Sequence, residues 1–164
     1  MNNNIIIIEA QTPDFELIQS LAYEIWPGYY ANIISMDQIE YMLSLLYNVD
    51  ALVEQSQNGQ RFFLVCEREE AVGFLGITLH EESELKIDKL YLKEDCRGKG
   101  FGKILIEFIE KEAKQLNVKY LFLNVNRFND SLLFYKKVGF RIQETIDIPF
   151  GPFWLNDFIM SKSI

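Results

Sequence analysis

Apolar and polar positions along the chain switch between two spacings, and the switches mark its elements. Ile5 to Ala10 reads as a first strand, and Thr12, Pro13 and Asp14 follow it as N-cap, first helical residue and first-turn acid. The pattern predicts a helix from there to about Trp26, stopped by Pro27 and Gly28. Tyr29 to Ile34 then read as a connector rich in aromatics. Ser35 and Gln38, at capping-box spacing, open a second helix. A third, short helix is expected from about Asp50 to Gln57, closed by Asn58-Gly59.

From Gln60 the period shortens to that of strands. Arg61 to Arg68, Ala71 to Leu79 and Glu84 to Leu92, separated by Glu69-Glu70 and by His80 to Ser83, read as an antiparallel meander. Helical spacing returns at Phe101, Ile104, Leu105, Phe108, Ile109, Ala113 and Leu116, so a long amphipathic helix follows the glycine-rich segment Arg97 to Gly102. Tyr120 to Val125 is a buried type of strand, and Ser131 to Val138 a short helix closed by Gly139. Arg141 to Ile148 and Trp154 to Met160 are the last strands. The order is mixed α/β, with no internal repeat and no interdomain linker.

Composition narrows this reading. At 164 residues the chain has the size of one domain, expected to span residues 1–164, and 49% hydrophobic residues supply a core. Sixteen Lys and Arg against twenty-four Asp and Glu leave a net charge of -8, which argues against a nucleic-acid footprint and suits a cationic small molecule. The apolar run Ile5 to Ile8 is too short for a signal-peptide core or a membrane span, so a cytoplasmic protein without membrane attachment is expected. Cys66, Cys96 and the single His80 lack zinc-site spacing, so no metal is expected and both thiols read as reduced and structural.

The candidate chemistry lies in Leu90-Tyr91-Leu92-Lys93-Glu94-Asp95-Cys96-Arg97-Gly98-Lys99-Gly100-Phe101-Gly102-Lys103, where a strand runs through a glycine-rich turn into a helix. Such a turn lets successive backbone N–H groups point into one concavity, and the helix start adds partial positive charge, so a phosphate or pyrophosphate fits there. Arg97, Lys99 and Lys103 add charge. P-loop spacing is absent, because Arg97 stands in the place of its first glycine and Ile104 in the place of its hydroxyl. The dinucleotide fingerprint is absent too, because Lys103 occupies the place of its third glycine.

Arg97-x-x-Gly100-x-Gly102 resembles the pyrophosphate-binding signature of the GNAT superfamily of acetyl-CoA-dependent N-acetyltransferases. Tyr135-Lys136-Lys137-Val138-Gly139-Phe140 resembles that family's second motif. The resemblance implies an α/β (α+β) GNAT fold: a mixed, mostly antiparallel central sheet of about six to seven strands flanked by about four to five helices. In that fold the strand at Glu84 to Leu92 splays from the strand at Tyr120 to Val125, and the acetyl-CoA site lies in the gap. It further implies direct acetyl transfer from acetyl-CoA to a primary amine, without a covalent enzyme intermediate. The backbone of Leu90, Tyr91 and Leu92 would hold the pantetheine arm and polarise the thioester. The amides of Arg97, Gly98, Lys99, Gly100, Phe101, Gly102 and Lys103 would wrap the pyrophosphate. Tyr135 matches the family's general acid, and Lys137 belongs to the same motif. Asp88 is the expected proton acceptor, directly or through water. Asn129 is the expected cofactor-binding asparagine, although it stands six residues before Tyr135 whereas relatives place theirs seven before, where this chain has Phe128.

The pocket walls implied by the resemblance contribute Trp26, Tyr29, Tyr30, Phe150, Phe153, Trp154 and Asp157, of which Tyr29, Tyr30, Trp154 and Asp157 are the candidate substrate contacts. Ring faces and carboxylates both attract an ammonium group. The expected acceptor is a small-molecule or peptide amine, and a homodimer is an assembly the family often uses. A reading from another class is a non-catalytic acyl-CoA-binding sensor or scaffold, which would keep the glycine turn and make Tyr135 dispensable. A serine or cysteine hydrolase lacks support: there is no nucleophile elbow, and His80 falls in an expected hairpin turn.

Overall fold

Among the described residues, seven strands and five α-helices form, mostly where the two periods place them. The computed structural model describes residues 4–81 and 83–164. In chain order the elements are β1 (Ile5–Glu9), a 3-10 turn (Thr12–Asp14), α1 (Phe15–Tyr30), α2 (Met36–Leu46), α3 (Val49–Gln57), β2 (Gln60–Glu67), β3 (Glu70–His80) and β4 (Glu84–Leu92). A second 3-10 turn (Glu94–Cys96), α4 (Phe101–Gln115), β5 (Tyr120–Asn126), α5 (Ser131–Lys137), β6 (Arg141–Phe150) and β7 (Phe153–Ser163) complete it. Pairing is mostly antiparallel. Of the turn expected at His80 to Ser83, Glu82 lies outside the described residues.

The chain divides into two units, and β4 runs from one into the other. The first takes in the chain up to Thr78 together with Lys89–Phe101. Its strands follow the order β1-β2-β3-β4, β4 contributing residues 89–92. Phe15, Ile18, Leu21, Ala22, Ile25 and Trp26 line the buried face of α1, and Phe15 meets Phe62 of β2 edge-on at 5.3 Å. Tyr47, at the end of α2, packs against Trp26 at 5.3 Å and Phe74 at 5.8 Å. Each such side chain removed from water contributes about 1.5–3 kcal/mol.

Two local expectations change here. Thr12 is not an N-cap: it begins the 3-10 turn, and Gln11 with Asp14 form the capping box, the Gln11 N–H donating to Asp14 Oδ2 at 2.8 Å. Nor does α1 stop at Pro27. The helix continues through it to Tyr30, although an interior proline removes one hydrogen bond and costs about 3 kcal/mol. Aromatic contacts offset that loss: the rings of Trp26 and Tyr30, one turn apart, meet at a tilt with centres 4.6 Å apart, and both lie against Tyr91 of β4. The other caps match the sequence, with Ser35 Oγ accepting from the Gln38 N–H and Asn48 Oδ1 from the Ala51 N–H.

The second unit comprises Leu79–Asp88 and Gly102–Ile164. Its strands follow the order β4-β5-β7-β6, β4 contributing residues 84–88. Along β5, Leu121, Leu123 and Val125 are buried while Phe122, Asn124 and Asn126 are half-buried and Tyr120 is exposed. Helix α4 buries Leu105, Ile106, Ile109 and Ala113, and the Glu110 carboxylate pairs with Lys162 of β7. The stripe is thus rotated slightly from the expected one: Ile106 is buried, Ile104 and Phe108 are half-buried and Leu116 is exposed. Ile106 lies three residues before Ile109, on the same face as the 105–109–113 ridge, whereas Leu116 falls just past the helix end at Gln115.

The β4–β5 ladder is parallel and short. It pairs Glu84 to Ile87 with Tyr120 to Leu123 and goes no further, although β4 continues to Leu92 and β5 to Asn126.

Candidate cofactor and catalytic residues

In the first unit, the end of β4 is tied to β3 by the Lys93 N–H, which donates to the Val72 carbonyl at 2.8 Å. The chain then tightens: the Cys96 N–H donates to Lys93 O at 3.0 Å and the Arg97 N–H to Glu94 O at 3.2 Å. Lys93 bridges Glu24 and Glu70 at 3.4 Å each. Burial acts to lower its pKa, but the two carboxylates together raise it, so its charge is secure. Cys96 is buried with its thiol toward Asp95 and Glu67. Burial first, then the Asp95 charge, pushes its pKa up to about 11, and burial raises that of Cys66 as well. Both thiols are free and neither is a thiolate at neutral pH.

Next comes the glycine turn. Gly98 and Gly100 have φ of +75° and +83°, and no heavy atom lies within 4 Å of the place a Cβ would take at either. Residues 97–100 are exposed, and none of the N–H groups of Gly98, Lys99 and Gly100 donates to another group of the described chain. These are followed directly by the first N–H groups of α4, which helix geometry also leaves without intrahelical partners. In the first unit the result is a run of exposed donors beside Lys99, and backbone donors of this kind suit an anion. Arg97 is held differently: its Nε donates to Leu92 O at 3.2 Å, and its guanidinium lies 5.0 Å from the Tyr29 ring centre.

In the second unit, a Cβ on Gly102 would stand 2.9 Å from the Phe134 ring, so the start of α4 and helix α5 approach more closely than a side chain allows. Tyr135, one residue on, is 8% exposed. It lies 5.2 Å from Phe134 and edge-on to Phe140 at 5.7 Å, and its carbonyl accepts from the Phe140 N–H. Asn129 is buried, its Oδ1 accepting from the Ser131 N–H and its carbonyl from the Leu132 N–H, so it opens α5. Phe128 beside it is 71% exposed, and Lys137 is exposed.

The expected acids differ in setting. Asp88 is half-buried, the residue after the last β4–β5 pair. Asp157, on β7 opposite Asn126, is 9% exposed. Burial raises its pKa, outweighing a hydrogen bond from Asn124 and the charges of Arg127 and Lys86, which act to lower it. Trp154 is 57% exposed near the β6–β7 turn. Tyr29 and Tyr30 occupy the last turn of α1, not a connector, and the Tyr30 and Tyr91 hydroxyls share a 2.8 Å hydrogen bond.

Sequence reasoning passed over Lys89. Its ammonium donates to Gln55 Oε1 and Gln60 Oε1 at 2.6 Å each, over the rings of Phe62 and Tyr47, and the residue is 9% exposed. The signal was available: Leu85, Ile87 and Lys89 occupy alternate, inward positions of one strand. Among the described residues, no helix is long and apolar enough to cross a membrane and no group of three or more His, Cys, Asp or Glu forms a candidate metal site.

Comparison with known proteins identifies the family. A spermidine N(1)-acetyltransferase of Thermoplasma acidophilum is 27% identical over 97% of this chain and 97% of its own. The peptidyl-lysine N-acetyltransferase YjaB of Escherichia coli is 37% identical over 48% of this chain and 47% of its own. The crystal structure of PaiA N-acetyltransferase from Thermoplasma acidophilum in complex with coenzyme A aligns with a TM-score of 0.85 at 28% identity, over 98% of this chain and 99% of that one. The model of the acetyltransferase (GNAT) family matches residues 18–140, well over half the chain. With its glycine turn, short parallel ladder and Tyr135 motif in the family's order, the protein is an acyltransferase that belongs to the GNAT family of acetyltransferases.

Proposed function

We propose that this single acetyltransferase domain moves the acetyl group of acetyl-CoA directly onto a primary amine in a ternary complex, with Tyr135 as general acid. The observation that carries this reading is the open turn at Gly98 to Gly100, whose donors have no partner in the described chain. Acetyl-CoA supplies the acetyl group as an activated thioester. Main-chain N–H groups of residues 98–103, aided by Lys99 and Lys103, hold the pyrophosphate; the Arg97 N–H, expected among them, is instead engaged with the Glu94 carbonyl. Leu90, Tyr91 and Leu92 present the backbone of β4 beyond the point where pairing with β5 ends, which suits an extended pantetheine arm. Asn129 and Lys137 complete the cofactor contacts.

Tyr135 delivers a proton to the departing sulfur; a phenol does this at modest cost because its pKa lies near that of a thiol. Asp88, directly or through water, accepts the proton that the ammonium must lose. The raised pKa of both cysteine thiols supports transfer without an acyl-cysteine. On the amine side we retain Trp154 and Asp157. The relative matched over 97% of its length is named for spermidine and the shorter match for peptidyl-lysine, so the proposed acceptor is a primary amine on a flexible alkyl chain. The net charge of -8 favours such a cation.

Thiol release from acetyl-CoA, measured against spermidine, other alkyl amines and lysine peptides, tests the reading. At least one amine should stimulate release, and Tyr135→Phe should slow it about a hundredfold with cofactor affinity nearly unchanged. Cofactor binding without amine-stimulated release would instead identify an acyl-CoA-binding module.

A further inference from the structure

Tyr29 entered the sequence reading on the amine side, but its neighbours in the first unit belong to the cofactor strand and turn. The ring meets Tyr91 of β4 edge-on at 5.6 Å and Tyr30 at 4.7 Å, and the Arg97 guanidinium lies over it at 5.0 Å. Tyr91 is itself fixed by the Tyr30 hydroxyl and by Phe74 at 5.4 Å. Arg97 thereby spans three elements: its ring contact is on α1, its Nε is on the last carbonyl of β4, and its own main chain enters the glycine turn.

That position has a physical consequence. Two glycines with positive φ make the turn conformationally free, and any freedom left before binding is lost when the pyrophosphate is gripped. Closing the loop from Leu92 to Arg97 through the guanidinium fixes the point from which Gly98 departs. The flat, delocalised guanidinium can do both tasks at once, stacking by its face while donating by its edge.

We propose that Tyr29 is a positioning residue for the pyrophosphate turn: its ring holds the Arg97 guanidinium on Leu92, and so pre-orders the donors of Gly98 to Gly100. The proposal rests on the acetyl-CoA reading above. It moves Tyr29 from amine recognition to cofactor affinity.

Calorimetry with acetyl-CoA and initial rates with both substrates test it on Tyr29→Phe, Tyr29→Leu, Arg97→Met and the Tyr29→Leu/Arg97→Met double variant. Tyr29→Leu should raise the acetyl-CoA Kd and KM roughly two- to fivefold, the range a partly exposed cation–π contact supports, while kcat and the amine KM hold. Tyr29→Phe, which keeps the ring, should retain most of the acetyl-CoA affinity that Tyr29→Leu loses. The double variant should lose little beyond Arg97→Met alone, because the two residues act through one contact. An unchanged Kd in Tyr29→Leu, full additivity in the double variant, or a rise confined to the amine KM would overturn the proposal while leaving acetyl transfer intact. A wild-type chain that binds no acetyl-CoA would overturn both. If Tyr29→Leu does not fold, Arg97→Lys against Arg97→Met reads the same contact: the lysine should retain part of the affinity, and equal losses would count against the role of the ring.

Discussion

Asp157 and Lys89 are the two charged side chains whose settings matter most. Lys89 is compensated at close range by two amide oxygens and two ring faces. Asp157 is not compensated to the same degree, since burial prevails over Asn124, Arg127 and Lys86. The sign of its pH dependence follows. A carboxyl with a raised folded-state pKa costs nothing where it is protonated in both states, and its cost accumulates as pH rises from the ordinary carboxylate range through its own pKa. Asp157→Asn removes that cost. Melting temperatures should therefore favour the variant most at neutral pH, with the difference from wild type shrinking toward acid. A difference independent of pH would show that the Asp157 carboxyl is not the titrating group.

At the scale of elements, the glycine turn and α1 show opposite balances between local and tertiary forces. The turn was legible because positive φ at Gly98 and Gly100 is a local requirement that spacing alone reveals. Gly100→Val should strain the backbone by about 1–2 kcal/mol and weaken acetyl-CoA binding by roughly tenfold. The Cβ itself meets no neighbour within 4 Å at Gly100, so backbone strain is the expected cause, and an unchanged calorimetric Kd would remove the turn from cofactor binding. Helix α1 was not legible to its end. Pro27 obeys a local rule that stops helices, but Trp26, Tyr29, Tyr30 and Tyr91 pack around the following turn and carry the helix past it. The Thr12 cap failed for a related reason: Asp14 bonds back to Gln11, which moves the cap one residue earlier.

At the scale of the whole molecule, binding must appear as stability. A ligand that occupies only the folded state at a hundred times its Kd adds ~2.7 kcal/mol, and for a chain of this size that is a rise in Tm of roughly 5–10 °C. Acetyl-CoA should produce this shift in a thermal melt, despite the protein's net charge of -8, because Lys99 and Lys103 flank the turn itself. A melt unchanged by saturating acetyl-CoA would contradict the proposed cofactor.

The amino-acid sequence by itself determined the order of helices and strands and the glycine turn, because each depends on periodicity or on the backbone limits of a few adjacent residues, whereas the Tyr135 motif was legible through its resemblance to the GNAT family. Tertiary structure alone decided the partners of Arg97, the burial of Lys89 between Gln55 and Gln60, and the raised pKa of Asp157. Those depend on side chains far apart in the chain, and local pattern carries no record of which distant residue will desolvate or compensate a charge.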